Sequence, residues 1–278
     1  MSATLDGTFQ VSEFVRFSPC CLLLLSAILT LRPANAQDIR VAAAADLEFA
    51  LEDLTAQYAK QTGKQVKVSY GSSGNFFAQI QSGAPFDLFM SADIAYARKL
   101  ADAGSAEPGT LYQYAFGRIV IWMPENARVD LANVGWKALL EPSVEKIAIA
   151  NPEHAPYGRA AVAALRNAGI YDQVRSKLVY GENIAQAAQF IVSGNAQAGI
   201  IALSLGASPA MRTGKRWEIP ANMHPPIEQA AVILKSAKDK EGARAFLAFV
   251  KSSAGRRILE SYGFNLPAAH GNSGATNQ

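Results

Sequence analysis

Short apolar runs alternate with stretches of helical period along most of the chain, beginning at residue 38. Residues 38–44 (Asp-Ile-Arg-Val-Ala-Ala-Ala) read as a buried strand that continues into Ala45-Asp46. Leu47, Leu51, Leu54 and Tyr58 then recur at helical spacing until Gly63 stops them. Residues 65–70 form an alternating run, Gly71-Ser72-Ser73-Gly74 a tight turn, and Phe76, Phe77 and Ile80 one side of a helix ending near Gly83. Residues 85–90 read as a third strand, and Ser91-Ala92-Asp93 opens a helix to about Ala103. Further strands are predicted at 118–123, 146–150, 178–180, 198–202 and 228–234. Helices are predicted at 136–140, 158–167, from Ile184 through Ile191, 240–252 and 254–262.

Strands and helices that alternate over short links imply mostly parallel sheets covered by helices, with ligands at the carboxyl ends of the strands. The second half repeats the style of the first, so the fold class is α/β with two lobes, each a mostly parallel sheet flanked by helices. Residues 118–123 and 229–234 are continuous apolar runs placed where a lobe would end. They are the expected crossing strands, with 119–123 and 229–234 as hinge strands. Lobe 1 is then 38–118 plus 235–267, lobe 2 is 124–228, and 268–278 is a flexible tail. Such a hinge lets a cleft close on a ligand.

The first 36 residues follow a different pattern. Arg16 precedes the apolar run from Cys20 to Leu29, and Ala34-Asn35-Ala36 has the small-x-small form of a cleavage site. Together they read as a secretory signal peptide cut after Ala36, which makes the protein periplasmic. Both cysteines, Cys20 and Cys21, fall in that segment, so the expected mature chain has no disulfide, thiolate nucleophile or sulfur-bound metal. The net charge of +3 is unchanged by the cut, since two basic and two acidic residues leave together. So small an excess does not support nucleic acid binding.

A strand, a Gly/Ser turn and a helix start leave backbone N–H groups without intrahelical partners, at the positive end of the helix dipole. Residues 70–80 therefore offer a site for a small oxyanion, with the Ser72 and Ser73 hydroxyls beside it. The alternative is that one serine only caps the helix. Other chemistry is hard to find. The histidines, His154, His224 and His270, stand apart, and neither a zinc motif nor a nucleotide-binding fingerprint occurs. Ser72 and Ser73 lie outside any G-x-S-x-G elbow. Asp46, Asp87 and Asp93 read as caps and scaffold, and Tyr157 as either packing or a hydroxyl donor into the cleft.

Several of these segments, in this order, resemble one family. They are Val41-Ala42-Ala43-Ala44-Ala45-Asp46-Leu47, Gly71-Ser72-Ser73-Gly74, Gly83-Ala84-Pro85-Phe86-Asp87-Leu88-Phe89, Ser91-Ala92-Asp93, Asn151-Pro152-Glu153-His154-Ala155-Pro156-Tyr157-Gly158 and Tyr262-Gly263-Phe264. The chain resembles the periplasmic molybdate-binding proteins of ABC transporters, type II solute-binding proteins, from about Ile39 to Pro267. The resemblance implies a monomeric, non-enzymatic receptor without cofactor or direct metal ligands. It would hold molybdate or tungstate by neutral donors and deliver it to a membrane permease and ATPase. Carried over, Ser73 is the first-lobe hydroxyl donor, Ala45 and Asp46 form the first binding loop, Tyr157 gives an amide and a hydroxyl, and Ile184 gives an amide.

Two departures stand out. Members commonly have serine, threonine or asparagine near Asp46, and a carboxylate beside a dianion is repulsive. Asp46 is therefore expected to turn away and cap its own helix. The strand at 198–202 ends in alanine where some members provide a tyrosine, a loss that Tyr157 would make good. Two other readings remain: a receptor of this fold for another small solute with Asp46 facing the cleft, and a secreted serine hydrolase using Ser72 or Ser73 with His154.

Overall fold

The computed structural model describes residues 38–268. The signal peptide, its cleavage site, both cysteines, His270 and all but the first residue of the expected tail lie outside them. In chain order the strands and helices are β1 (Ile39–Ala44), α1 (Glu48–Thr62), β2 (Val66–Gly71), α2 (Ser73–Gln81), β3 (Leu88–Ser91), α3 (Ile94–Asp102), β4 (Tyr112–Gly117), β5 (Ile119–Met123), α4 (Leu131–Val134), β6 (Ile147–Ala150), α5 (Pro156–Asn167), α6 (Tyr171–Val174), β7 (Leu178–Gly181), α7 (Ile184–Val192), β8 (Ala198–Ala202), β9 (Lys215–Glu218), β10 (Ile227–Ile233), α8 (Lys240–Lys251) and α9 (Ser253–Ser261). Among the described residues no helix is long and apolar enough to cross a membrane.

The strands form two five-stranded sheets, ordered β2-β1-β3-β10-β4 and β7-β6-β8-β5-β9. In each, one strand runs against the other four: β10 is antiparallel to β3 and β4, and β5 is antiparallel to β8 and β9. The reversed strand is the one that arrives from the other sheet. The chain passes between sheets twice, at Arg118 and along residues 219–226. The apolar runs expected to cross are thus whole members of single sheets, 119–123 in the second and 229–233 in the first, and the crossings are the links before them. Continuous apolarity reflects burial on both sheet faces, which is why it did not mark the crossing itself.

β1 shows the logic of a central strand: five of its six residues are buried, so its sequence is almost uniformly apolar. The edge strand β2 alternates instead, with Val66 and Val68 turned towards the core. Leu51, Leu54 and Tyr58 of α1 cover one face of the first sheet together with Phe246, Leu247 and Val250 of α8. The Tyr58 and Phe246 rings meet edge to face at 5.2 Å. Phe76 and Ile80 of α2 and Ala97 and Leu100 of α3 cover the other face. Asp87 ties the lobe together, accepting the N–H of Arg40 at 2.8 Å and that of Lys238 at 2.7 Å. A carboxylate that satisfies backbone donors from two distant segments is scaffold, as expected for Asp87.

Candidate functional site

β1, β2, β3, β6 and β7 all end at one place between the sheets, and each is followed by a turn into a helix. α2 begins at Ser73 with Ser72 as its cap, whose Oγ accepts the N–H of Asn75 at 3.4 Å. α5 begins at Pro156, a residue whose missing N–H does no harm in the first turn. α7 begins at Ile184 behind Asn183, whose Oδ1 accepts the N–H of Gln186 at 3.0 Å. A 3-10 turn, Ala45–Leu47, leads from β1 into α1. The first N–H groups of these turns lack intrahelical partners and carry the positive ends of the helix dipoles.

These starts enclose a small cavity lined by Ala45, Asp46, Ser73, Tyr157 and Ile184 together with Ser72, Ala92 and Ala155. The five residues singled out in the sequence thus share one wall. No lysine or arginine is among the residues lining it, and its only ionisable side chains are Asp46 and Tyr157.

Ser73 is 1% exposed and its Oγ accepts the N–H of Ala92 at 2.9 Å. Accepting there orients the hydroxyl and leaves its proton to be given to something else. Both partners sit at strand ends of the first sheet, so this donor is set up within one lobe.

Asp46 departs from expectation. It caps no helix: neither the 3-10 turn nor α1 has a side-chain cap. The carboxyl is instead buried, with Oδ2 accepting from Tyr157 Oη at 2.9 Å and from Gln229 Nε2 at 2.6 Å. Gln229 Nε2 also lies 3.0 Å from Tyr157 Oη, and its Oε1 accepts from Tyr114 Oη at 2.8 Å. Oδ1 is buried with no hydrogen-bond partner. Burial pushes the Asp46 carboxyl up from 3.8 to about 7, and the bonds from Gln229 and Tyr157 only partly oppose it. Burial, with the Asp46 charge beside them, also pushes the Tyr157 and Tyr114 phenols well above their usual range, so both stay neutral donors. The Tyr157 hydroxyl is therefore directed at Asp46 across the cleft. Gly117 makes room for this contact, since a Cβ there would overlap the Tyr157 hydroxyl and lie 2.8 Å from Gln229 Nε2.

Of the groups that hold Asp46, Tyr157 was singled out in the sequence, whereas Gln229, Tyr114 and Ser204 were not. Gln229 precedes the apolar run of β10, and a glutamine set directly against such a run was the available signal. Tyr114 lies on β4, which was not read as a strand, because its tyrosines and glutamine blur the alternation. Ser204 stands two residues beyond the alanine that ends β8 and donates its hydroxyl to the Asp46 carbonyl at 2.7 Å. That hydroxyl fixes the turn that carries Asp46.

Other contacts also bridge the lobes. The Gly74 N–H donates to the His154 carbonyl at 3.0 Å, and Arg159 pairs with Asp93 at 2.6 Å. Asp93 also caps α3, accepting the Ala95 N–H, so its expected capping role is combined with a cross-cleft bond. Ser72 Oγ lies 3.0 Å from His154 Nδ1, whose Nε2 is 3.6 Å from Glu182. The order serine, histidine, carboxylate invites comparison with a hydrolase. Here Ser72 is already a helix cap, and the carboxylate side chain is 69% exposed and beyond hydrogen-bond reach. The Ser72–His154 contact is one more bond between the lobes.

Two lobes of this topology, with a donor-lined cavity at their facing strand ends, define a solute-binding protein. The family described as bacterial extracellular solute-binding protein matches residues 39–265. The molybdate-binding protein ModA of Azotobacter vinelandii is 37% identical over 246 residues, covering 88% of this chain and 96% of its own length. That of Rhodobacter capsulatus is 37% identical over 232 residues, covering 84% and 90%. The solved Azotobacter vinelandii periplasmic molybdate-binding protein superposes with a TM-score of 0.77 at 36% identity, covering 83% of this chain and all of its own. The chain belongs to the bacterial extracellular solute-binding protein family, and within it stands beside the molybdate-binding proteins.

Proposed function

We propose that this protein is the periplasmic substrate-binding component of a molybdate or tungstate ABC transporter, closing its two lobes on the tetrahedral oxyanion. The observation that carries this reading is the cavity itself, lined by serine and tyrosine hydroxyls and helix starts and without a cationic side chain. An anion there is stabilised by aligned dipoles and hydroxyl protons, which suits a ligand that must later be released. The ligand contacts are the Ser73 hydroxyl, the amides of Ala45, Asp46, Tyr157 and Ile184, and the buried Asp46–Tyr157 pair. A fixed cage of donors selects by radius and protonation state, so molybdate and tungstate are separated from the smaller sulfate more readily than from each other. The protein is exported by a leader cut after Ala36, acts as a monomer without cofactor, and hands its ligand to a membrane permease and ATPase. It is a receptor and not an enzyme.

Calorimetry on the chain from Gln37, with molybdate, tungstate, sulfate and phosphate, tests this. Heat is expected with the first two only, and none with any oxyanion at millimolar concentration would overturn the reading. The bare Oδ1 of Asp46 supports a second reading, in which an ionised carboxylate receives an amine-bearing solute in the same cavity. Binding of such a solute in place of molybdate would establish it.

A further inference from the structure

The Asp46 carboxyl is asymmetric. Oδ2 is committed as an acceptor twice over, to Tyr157 and to Gln229, whereas Oδ1 reaches neither solvent nor a donor. Asp46 lines the same cavity as the Ser73 hydroxyl, so the carboxyl that carries this unpartnered oxygen is part of the cavity lining. An ionised Oδ1 beside a doubly charged oxyanion sets acceptor against acceptor in a dry space, with three negative charges and no cation lining it. A protonated Oδ1 reverses the sign of the contact, because an O–H donating to an anionic oxygen is a short, charge-assisted bond.

We propose that Asp46 captures the ligand as a neutral carboxylic acid, its Oδ1–H donating to an oxygen of the bound dianion, so that closure takes up one proton from solvent. This rests on the oxyanion reading above. Its direction is supported by burial, which already raises the Asp46 carboxyl to about 7. A dianion placed beside it raises the carboxyl further.

The groups that face Asp46 add no charge of their own to oppose this. Tyr157 on α5 and Tyr114 on β4 stay neutral. Gln229 on β10, Ser204 after β8 and the residues of α7 do not titrate in this range. α1, which follows the turn, carries Glu48 and Glu52, and the Glu48 carboxyl is itself raised by burial and by Glu52. β2 carries Tyr70, raised chiefly by burial, and Lys67, which points away and pairs with Asp38. His154, which is bonded to Ser72, is the nearest histidine named in these contacts.

The test is calorimetry with sodium molybdate between about pH 6 and about pH 8.5, where molybdate is a dianion, in buffers of different ionisation enthalpy. The wild-type protein should take up close to one proton per molybdate at pH 8.5 and fewer as pH falls. Its affinity should drop about tenfold per pH unit above about 7. Asp46→Asn presents an N–H₂ donor in place of the acid, and should bind without proton uptake, with flat affinity that exceeds the wild type at pH 8.5. Glu48→Gln should keep the wild-type slope. Molybdate binding by the wild type with no proton uptake at pH 8.5 overturns the proposal and leaves the oxyanion reading standing, and requires no variant. A slope that survives in Asp46→Asn places the proton on another group and overturns it too. Absence of molybdate binding at every pH removes the oxyanion reading and this inference with it.

Discussion

Ser73 and Asp46 follow neighbouring strands of the first sheet into one cavity and are held in different ways. Ser73 takes its orientation from Ala92, a neighbour in the same lobe. Asp46 is held by both lobes: Gln229 and the Tyr114 behind it belong to the first sheet, whereas Tyr157 and Ser204 come from the second. Opening the cleft leaves Ser73 as it is and strips Asp46 of its Tyr157 and Ser204 bonds while letting water in. One group is a prepared donor and the other reports closure, and that division is what a receptor needs to hold a ligand and later release it.

The largest effect should come from the side that closure controls. The Asp46 carboxyl rises from 3.8 to about 7 on folding, so its contribution to stability is fully present below about pH 4 and is lost as pH rises to about 7. Relative to Asp46→Asn, the ligand-free wild type should therefore lose up to about 4 kcal/mol between pH 4 and pH 8. Cleft opening makes this an upper bound, because it returns the carboxyl to water. Urea unfolding of both proteins across that range measures it, and parallel curves would show the carboxyl to be freely hydrated.

Ser73→Ala comes next. It removes a donor to a dianion, worth about 1.5–3 kcal/mol, so molybdate binding should weaken roughly 10- to 150-fold while the melting temperature stays near the wild type. Tyr157→Phe removes a bond that exists only when the lobes meet. A loss of about 1 kcal/mol, or about fivefold in affinity, is expected, expressed mainly as faster molybdate release in stopped-flow measurements. The smallest effect is Ser72→Ala, which loses a helix cap and the His154 contact. Unfolding should show a loss of about 1 kcal/mol, with molybdate affinity changing less than in Ser73→Ala.

Much of this arrangement was legible in advance because it follows local rules. The Gly71-Ser72-Ser73-Gly74 turn announces a helix start, Gly63 announces a helix end with its positive φ of 71°, and the buried run of β1 announces a central strand. What escaped depends on partners distant in sequence. β4 is made a strand by pairing with β10, more than a hundred residues away, and β9 by pairing with β5. The fate of Asp46 was misread for the same reason. Next to a helix start an aspartate is an ordinary cap, and only the arrival of Tyr157 and Gln229, 111 and 183 residues away, turns it into a buried acid.

A crystal structure of the protein with molybdate, grown near pH 6, tests the division of the site most directly. The expected result is a tetrahedral anion between the lobes, with one oxygen at hydrogen-bond distance from Ser73 Oγ, another from Asp46 Oδ1, and the Tyr157–Asp46 bond intact. An anion bound elsewhere, or one that drives the Asp46 carboxyl out of the cavity wall, would contradict it.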